Sequence, residues 1–191
     1  MKDIIIASNN QHKIKEIKQI LGDFFDNIYS LKEKGIDIEV DETGKTFYEN
    51  ALIKAREISK ISGMSALADD SGLMVEYLNG QPGVYSARFA GYPCDDNNNN
   101  KLLLKKLEGV ADRRASFVSC IVIYKTDGSI ISAEGKTDGE IIFEKKGENG
   151  FGYDPIFFSY DLKKTFGEAS AREKNQISHR ARALKEIAKK L

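Results

Sequence analysis

Ser8-Asn9-Asn10-Gln11-His12-Lys13 puts a hydroxyl, three amides, an imidazole and an ammonium in six consecutive positions. The β-branched run Ile4-Ile5-Ile6 precedes it, and Ile14, Ile17, Ile20 and Leu21 follow at helical spacing. A loop that leaves a strand and opens a helix exposes backbone N–H groups at the positive end of the helix dipole. With Ser8, Asn10 and Lys13 as added donors, the segment suits a phosphate or polyphosphate. Helix capping explains Ser8 and the asparagines equally well. The glycines and the Gly-Lys-Ser/Thr ending of a Walker A loop are missing.

Asp69-Asp70 follows a short apolar run and precedes Ser71-Gly72. Magnesium is held by one or two protein carboxylates together with water and phosphate oxygens, so an acidic pair is a metal candidate. Consecutive strand residues face opposite ways, and the two aspartates serve one metal equally only if the strand has already ended. A solvated Asp-Ser-Gly turn is the alternative. Glu39, Asp41, Glu42 and Glu49 form a second acidic group. Glu49 completes a capping box with Thr46, whereas Glu42 has no such explanation and is the better metal candidate.

Glycines in Gly147 to Pro155 let the backbone pass close to a ligand. Phe151 is then placed to stack on a flat base, and Asp154 to accept its N–H groups. The pattern is not a Rossmann fingerprint, and a loop packed on the core through its aromatics fits the residues as well. Lys174 and Ser178-His179-Arg180 offer donors for phosphate and for a carbonyl edge, or form a solvated basic face. Arg88 and Lys54 are weaker candidates of the same kind.

These residues need elements to hold them. Ile36 to Val40 alternates like a half-buried strand, and Thr46 to Ile61 reads as a helix with Ala51, Leu52, Ala55 and Ile58 on one face. Ser65 to Asp69 is a short strand candidate and Asn97 to Leu107 a helix. Ala115 to Lys125 is the strongest strand, turned by Asp127-Gly128 into Ser129 to Ala133. Ile177, Ala181, Leu184, Ile187 and Leu191 mark a closing amphipathic helix. The mixture, with a hairpin in the middle, points to α/β with a mixed sheet.

Basic and acidic residues balance at 29 each, which argues against a surface built to coat nucleic acid or an anionic membrane. A chain of 191 residues needs no disulfide to fold. Cys94 and Cys120 lack metal-ligand spacing, and Cys120, in an apolar run, reads as a buried thiol. No run approaches the roughly 18 apolar residues of a membrane span, and the first is too short for a signal peptide. A soluble cytoplasmic protein is expected.

In their order along the chain these segments resemble the inosine triphosphate pyrophosphatase family. The resemblance is carried by Ser8 to Lys13, Glu42-Thr43-Gly44, Thr46 to Ala51, Ala68 to Leu73, Pro82 to Arg88, Gly150 to Pro155 and Ser178-His179-Arg180. It implies a single elongated α/β domain over residues 1–191, with a central mixed β-sheet flanked by helices and two lobes around a substrate cleft. It also implies a homodimer with Mg²⁺ as cofactor. The implied reaction is hydrolysis of non-standard purine nucleoside triphosphates (ITP, dITP, XTP) to the monophosphate and pyrophosphate. Ser8, Asn9, Asn10, Gln11, His12 and Lys13 then bind substrate, chiefly its phosphates. Glu42 and Asp70 hold the metal, Asp70 also acts as general base, and Ser71 contacts substrate. Phe151, Gly152, Tyr153, Asp154, Lys174, His179 and Arg180 complete the pocket. Ser8 stands where many members have threonine, and either supplies a hydroxyl. Two other readings are a Maf-type nucleotide pyrophosphatase with another base preference and a non-catalytic nucleotide sensor. The sensor has no need of Glu42 and Asp70.

Overall fold

The computed structural model describes residues 3–191; Met1 and Lys2, which the expected 1–191 domain includes, lie outside the described residues. The β-branched run forms β1 (Asp3–Ile6). Asn10 then starts α1 (Gln11–Leu21), its side chain accepting from the N–H groups of His12 and Lys13. Ile14, Ile17 and Leu21 are the buried face of α1, as their spacing requires.

β2 (Asn27–Ser30) pairs parallel with β1 and is not anticipated by the sequence pattern. Ile36 to Val40, the expected strand, is irregular instead. Its alternate residues are half-buried, but alternation records burial alone, and a strand also needs a partner. α2 (Phe47–Ser62) has the predicted capping box, Thr46 with Glu49, and ends at Gly63 in the left-handed conformation.

β3 (Ala66–Val75) corrects the expected boundary, because the strand runs straight through Asp69-Asp70-Ser71-Gly72 and forms no turn there. α3 (Asp96–Lys106), β4 (Arg114–Tyr124) and β5 (Ile130–Ile141) fall where the sequence puts them, though β5 is longer than its apolar start suggests. β6 (Phe157–Ser159) and β7 (Lys164–Thr165) are short. The closing helix is two helices, α4 (Ala171–Ile177) and α5 (His179–Ala188). Ser178 between them is extended, with ψ 154°, and the Thr137 hydroxyl donates to the Ile177 carbonyl at 2.9 Å, satisfying a helix-end acceptor.

The seven strands run in the order β2-β1-β3-β4-β5-β6-β7. β1 is parallel to β2 and β3, whereas β6 is antiparallel to β5 and β7, so the sheet is mixed and the fold α/β, as expected. The chain forms two compact units, residues 3–70, 119–135 and 180–191 in the first and 71–118 and 136–179 in the second. The first has a core of Ile4, Ile6, Ile17, Leu67, Ile121 and Leu184, the second one of Leu73, Leu103, Phe117, Tyr153, Phe157 and Phe166. No helix among the described residues is long and apolar enough to cross a membrane.

Cys120 lies buried on β4, where burial pushes its thiol up to about 12, while Cys94 is exposed. Thiol titration at neutral pH is therefore expected to find one reactive cysteine in the native protein and both after denaturation. Rapid native labelling of Cys120 would contradict this burial.

Candidate active site

Because β3 continues through the acidic pair, Asp69 and Asp70 project from opposite faces of one strand and meet different partners. Asp69 is buried in the first unit. Its carboxylate accepts from Ser119 Oγ at 2.6 Å, Lys13 Nζ at 2.9 Å and Arg180 Nε at 3.0 Å. Arg180 is itself buried, and its Nη1 donates to Glu16 at 2.6 Å. Burial alone would raise the Asp69 pKa, but Arg180 and then Lys13 outweigh it and hold the carboxyl far below the usual range. Lys13 moves the other way, its pKa lowered by burial against the attraction of Asp69.

Asp70 faces α2. Its Oδ2 accepts from Asn50 Nδ2 at 3.1 Å, and Oδ1 lies 3.3 Å from Lys54 Nζ. The same ammonium donates to Glu42 Oε1 at 2.6 Å and to the Asp69 carbonyl at 3.0 Å. Gly44 fixes the Asn50 amide by donating its N–H to Oδ1 at 2.8 Å, and a Cβ on Gly44 would collide with Asn50. Burial pushes the Asp70 pKa up, with Glu42 adding to the effect and Lys54 opposing it. For Lys54 the balance is reversed: burial lowers its pKa, yet Asp70 and Glu42 together keep it raised.

Glu42 and Asp70 thus already share one cation, the Lys54 ammonium. Two carboxylates within reach of one charge are the hard oxygen donors Mg²⁺ takes from a protein, the remainder coming from water and substrate phosphate. Larger acidic or histidine clusters are absent among the described residues. The pair fits the ion.

In the 8–13 segment, Lys13 is the residue whose side chain joins this cluster. Ser8 Oγ accepts from Asn10 N at 3.1 Å, Asn10 caps α1, and Gln11 Nε2 donates to the Asn9 carbonyl at 3.4 Å. Asn9, Asn10, Gln11 and His12 are exposed at the helix start. Capping and a polar loop therefore coexist.

The second unit holds the aromatic loop. Asp154 is buried, accepting from Lys174 Nζ at 2.6 Å and from Phe151 N at 2.9 Å. Lys174 Nζ lies 4.8 Å from the Phe151 ring centroid and 5.3 Å from that of Phe166. Gly150 is left-handed at φ +78°, and a Cβ there would strike the Asp154 carboxylate. Tyr153 goes to the core, its hydroxyl donating to the Ser86 carbonyl at 2.8 Å. His179 stacks on Phe117 with centroids 4.8 Å apart. Ser71 is half-buried on β3. Lys174, His179 and Arg180 are 6%, 4% and 1% exposed, so a solvated basic face does not describe them. Arg180 belongs to the first unit, with Lys13 and Asp69, while Lys174 and His179 belong to the second.

Sequence reasoning misses Asn50, Ser119 and Glu16 and underrates Lys54. Asn50 and Lys54 stand four apart on α2 beside Ala51 and Ala55, and this polar pair on an apolar helix face was the available signal. Ser119 and Glu16 give no local sign.

The Ham1 family profile matches residues 4–190. The chain belongs to the Ham1 family. It is 54% identical over 196 residues to a Clostridium perfringens protein named dITP/XTP pyrophosphatase, covering 98% of this chain and 96% of that one. A Haemophilus influenzae protein of the same name is 50% identical, with 98% of each chain covered. Among solved structures, the Staphylococcus aureus Ham1 protein superposes with TM-score 0.89 at 46% identity, over 97% of this chain and 96% of that one. A Coxiella burnetii HAM1 protein gives 0.91 at 40% identity, over 99% and 98%.

In this Ham1-family chain the Asp69 pKa is lowered from 3.8, so ionised Asp69 contributes stability above that value and loses it as pH falls through the acid range. Asp69→Asn leaves Arg180 and Lys13 without that charge. It is expected to cost about 3–5 kcal/mol at neutral pH and to flatten the decline in stability below about pH 4. Urea unfolding of both proteins across this range is the check. An equally steep decline in the variant would mean that Asp69 carries none of it.

Proposed function

We propose that this protein hydrolyses non-standard purine nucleoside triphosphates (ITP, dITP and XTP) to the monophosphate and pyrophosphate, with Mg²⁺ held by Glu42 and Asp70. The observation that carries the reading is the convergence of Lys54 on Glu42 and Asp70 in the first unit, beside Lys13. The names of the relatives from C. perfringens and H. influenzae support the substrate class. Residues 1–191 act as one catalytic domain. The reading includes a cytoplasmic location and a homodimer, the latter supported by the family likeness.

Bound Mg²⁺ would offset triphosphate charge and make a coordinated water more acidic. Asp70 orients the attacking water and takes its proton as oxygen adds to the α-phosphorus and pyrophosphate departs. Lys13 and Lys54 offset charge on the phosphate oxygens, which is the main demand of phosphoryl chemistry. Ser8 to His12 bind phosphate through loop donors, and Ser71 adds a hydroxyl. In the second unit Phe151 stacks on the base, while Gly152 to Asp154, with Lys174, set the loop. A donor from His179 prefers a 6-oxo group over the amino group of adenine, because two facing donors are left unpaired. Arg180, already engaged by Asp69 and Glu16, acts on the substrate through Lys13.

Pyrophosphate release from ITP, XTP, GTP, dTTP and UTP with Mg²⁺ is expected to be fastest for ITP and XTP. A preference for pyrimidine nucleotides would favour the Maf-type reading. Asp70→Asn and Lys54→Met are each expected to lower kcat by about a hundredfold or more. Unimpaired turnover in Asp70→Asn would remove it as the base.

A further inference from the structure

α3 opens with a polar run, Asp95 to Asn100, that the proposed chemistry leaves unused. Part of it is structural. Asp95 caps the helix by accepting from Asn98 N, and Asn99 bridges Ala90 N and the Ala87 carbonyl. Asp96 and Asn100 do something else. They stand one turn apart on one helix face and close on the same loop residue from both sides. Asp96 Oδ2 accepts from Gly152 N at 2.7 Å, and Asn100 Nδ2 donates to the Gly152 carbonyl at 3.0 Å.

Gly152 is left-handed at φ +62°, and a Cβ there would meet nothing within 4 Å. Both its N–H and its carbonyl are tied to α3 by these two hydrogen bonds, and no close neighbour of a Cβ forces a glycine there. Lys145 Nζ adds a further tie to α3 through Asn97 Oδ1 at 2.5 Å. Asn100 is 2% exposed, and its Oδ1 has no hydrogen-bond partner among the described residues. A buried unpaired acceptor destabilises the fold. What Asn100 contributes is its donor to Gly152, next to Phe151.

We propose that Asp96 and Asn100 are positioning residues that hold the 151–154 loop ready for the base, setting affinity and base selectivity and not the chemical step. The inference rests on the reading of that loop as the base-binding segment. Ordering a loop during binding weakens affinity, and ordering it beforehand removes that penalty. The gain applies equally to bound substrate and transition state, so it appears in KM and not in kcat.

The test is steady-state hydrolysis of ITP and GTP by full-length variants. Phe151→Ala probes the underlying reading: an unchanged KM for ITP there would overturn the loop's role in base binding itself. Given a raised KM in Phe151→Ala, Asn100→Leu removes both the donor and the unpaired acceptor at similar size. It is expected to raise KM for ITP about fivefold, to keep kcat within about twofold, and to narrow the preference for ITP over GTP. Its unfolding temperature should match or exceed the parent's. Asp96→Ala should raise KM similarly, and Asp96→Asn, which keeps an acceptor for Gly152 N, should recover most of the loss. A parental KM in Asn100→Leu, or a fall in kcat alone, overturns the proposal. Should Asn100→Leu fail to fold, the Asp96 pair decides: equal KM in Asp96→Ala and Asp96→Asn overturns it.

Discussion

A carboxylate taken out of water in the middle of β3 must find compensating charge. Asp69 finds it in Arg180 and Lys13, with the Ser119 hydroxyl as a third donor. Removing Arg180 or Lys13 would take compensating charge from a buried carboxylate, which is costly, so these donors and their elements are held together. α1, β4 and α5 supply the three donors, and none is near Asp69 in the chain. Asp70 inherits its place from this arrangement. Alternation along the strand turns it to the other face, toward Asn50, Lys54 and Glu42.

The two units carry different chemistry. The first gathers carboxylates and ammonium groups, with Lys54 drawn among Glu42, Asp70 and the Asp69 carbonyl. The second organises an aromatic loop from beneath, with the Asp154–Lys174 pair under Phe151 and Tyr153 anchored to Ser86. In both, a glycine is needed where a polar side chain crosses close to backbone: Gly44 against Asn50 and Gly150 against Asp154. Neither glycine explains itself without the partner it accommodates.

What was legible in the sequence was local. The Thr46–Glu49 capping box, the Asn10 cap and the apolar spacing of α1, α2 and α3 depend on residues within one turn or one helix face. The strand Arg114 to Tyr124 and its Asp127-Gly128 turn are local for the same reason. Two misreadings have a common origin. Ile36 to Val40 alternates without a partner strand, and β3 passes through an Asp-Ser-Gly string that looks like a turn. Strand identity is decided by the neighbour that completes the ladder, and that neighbour is remote in the chain.

By itself the sequence determined α1, α2 and α3, the mixed α/β class, the family and the list of residues able to do phosphate and base chemistry. Tertiary structure alone decided how they are shared out. It sent Arg180 to Asp69 and Glu16 while His179, its neighbour, stacks on Phe117. It raised Lys54 from a weak candidate to the cation between Glu42 and Asp70, and gave Asp69 the different partners Arg180 and Lys13. The reason is electrostatic: residue type fixes what a charge can do, but its partners and its burial fix what it does, and both are set by segments far away in sequence.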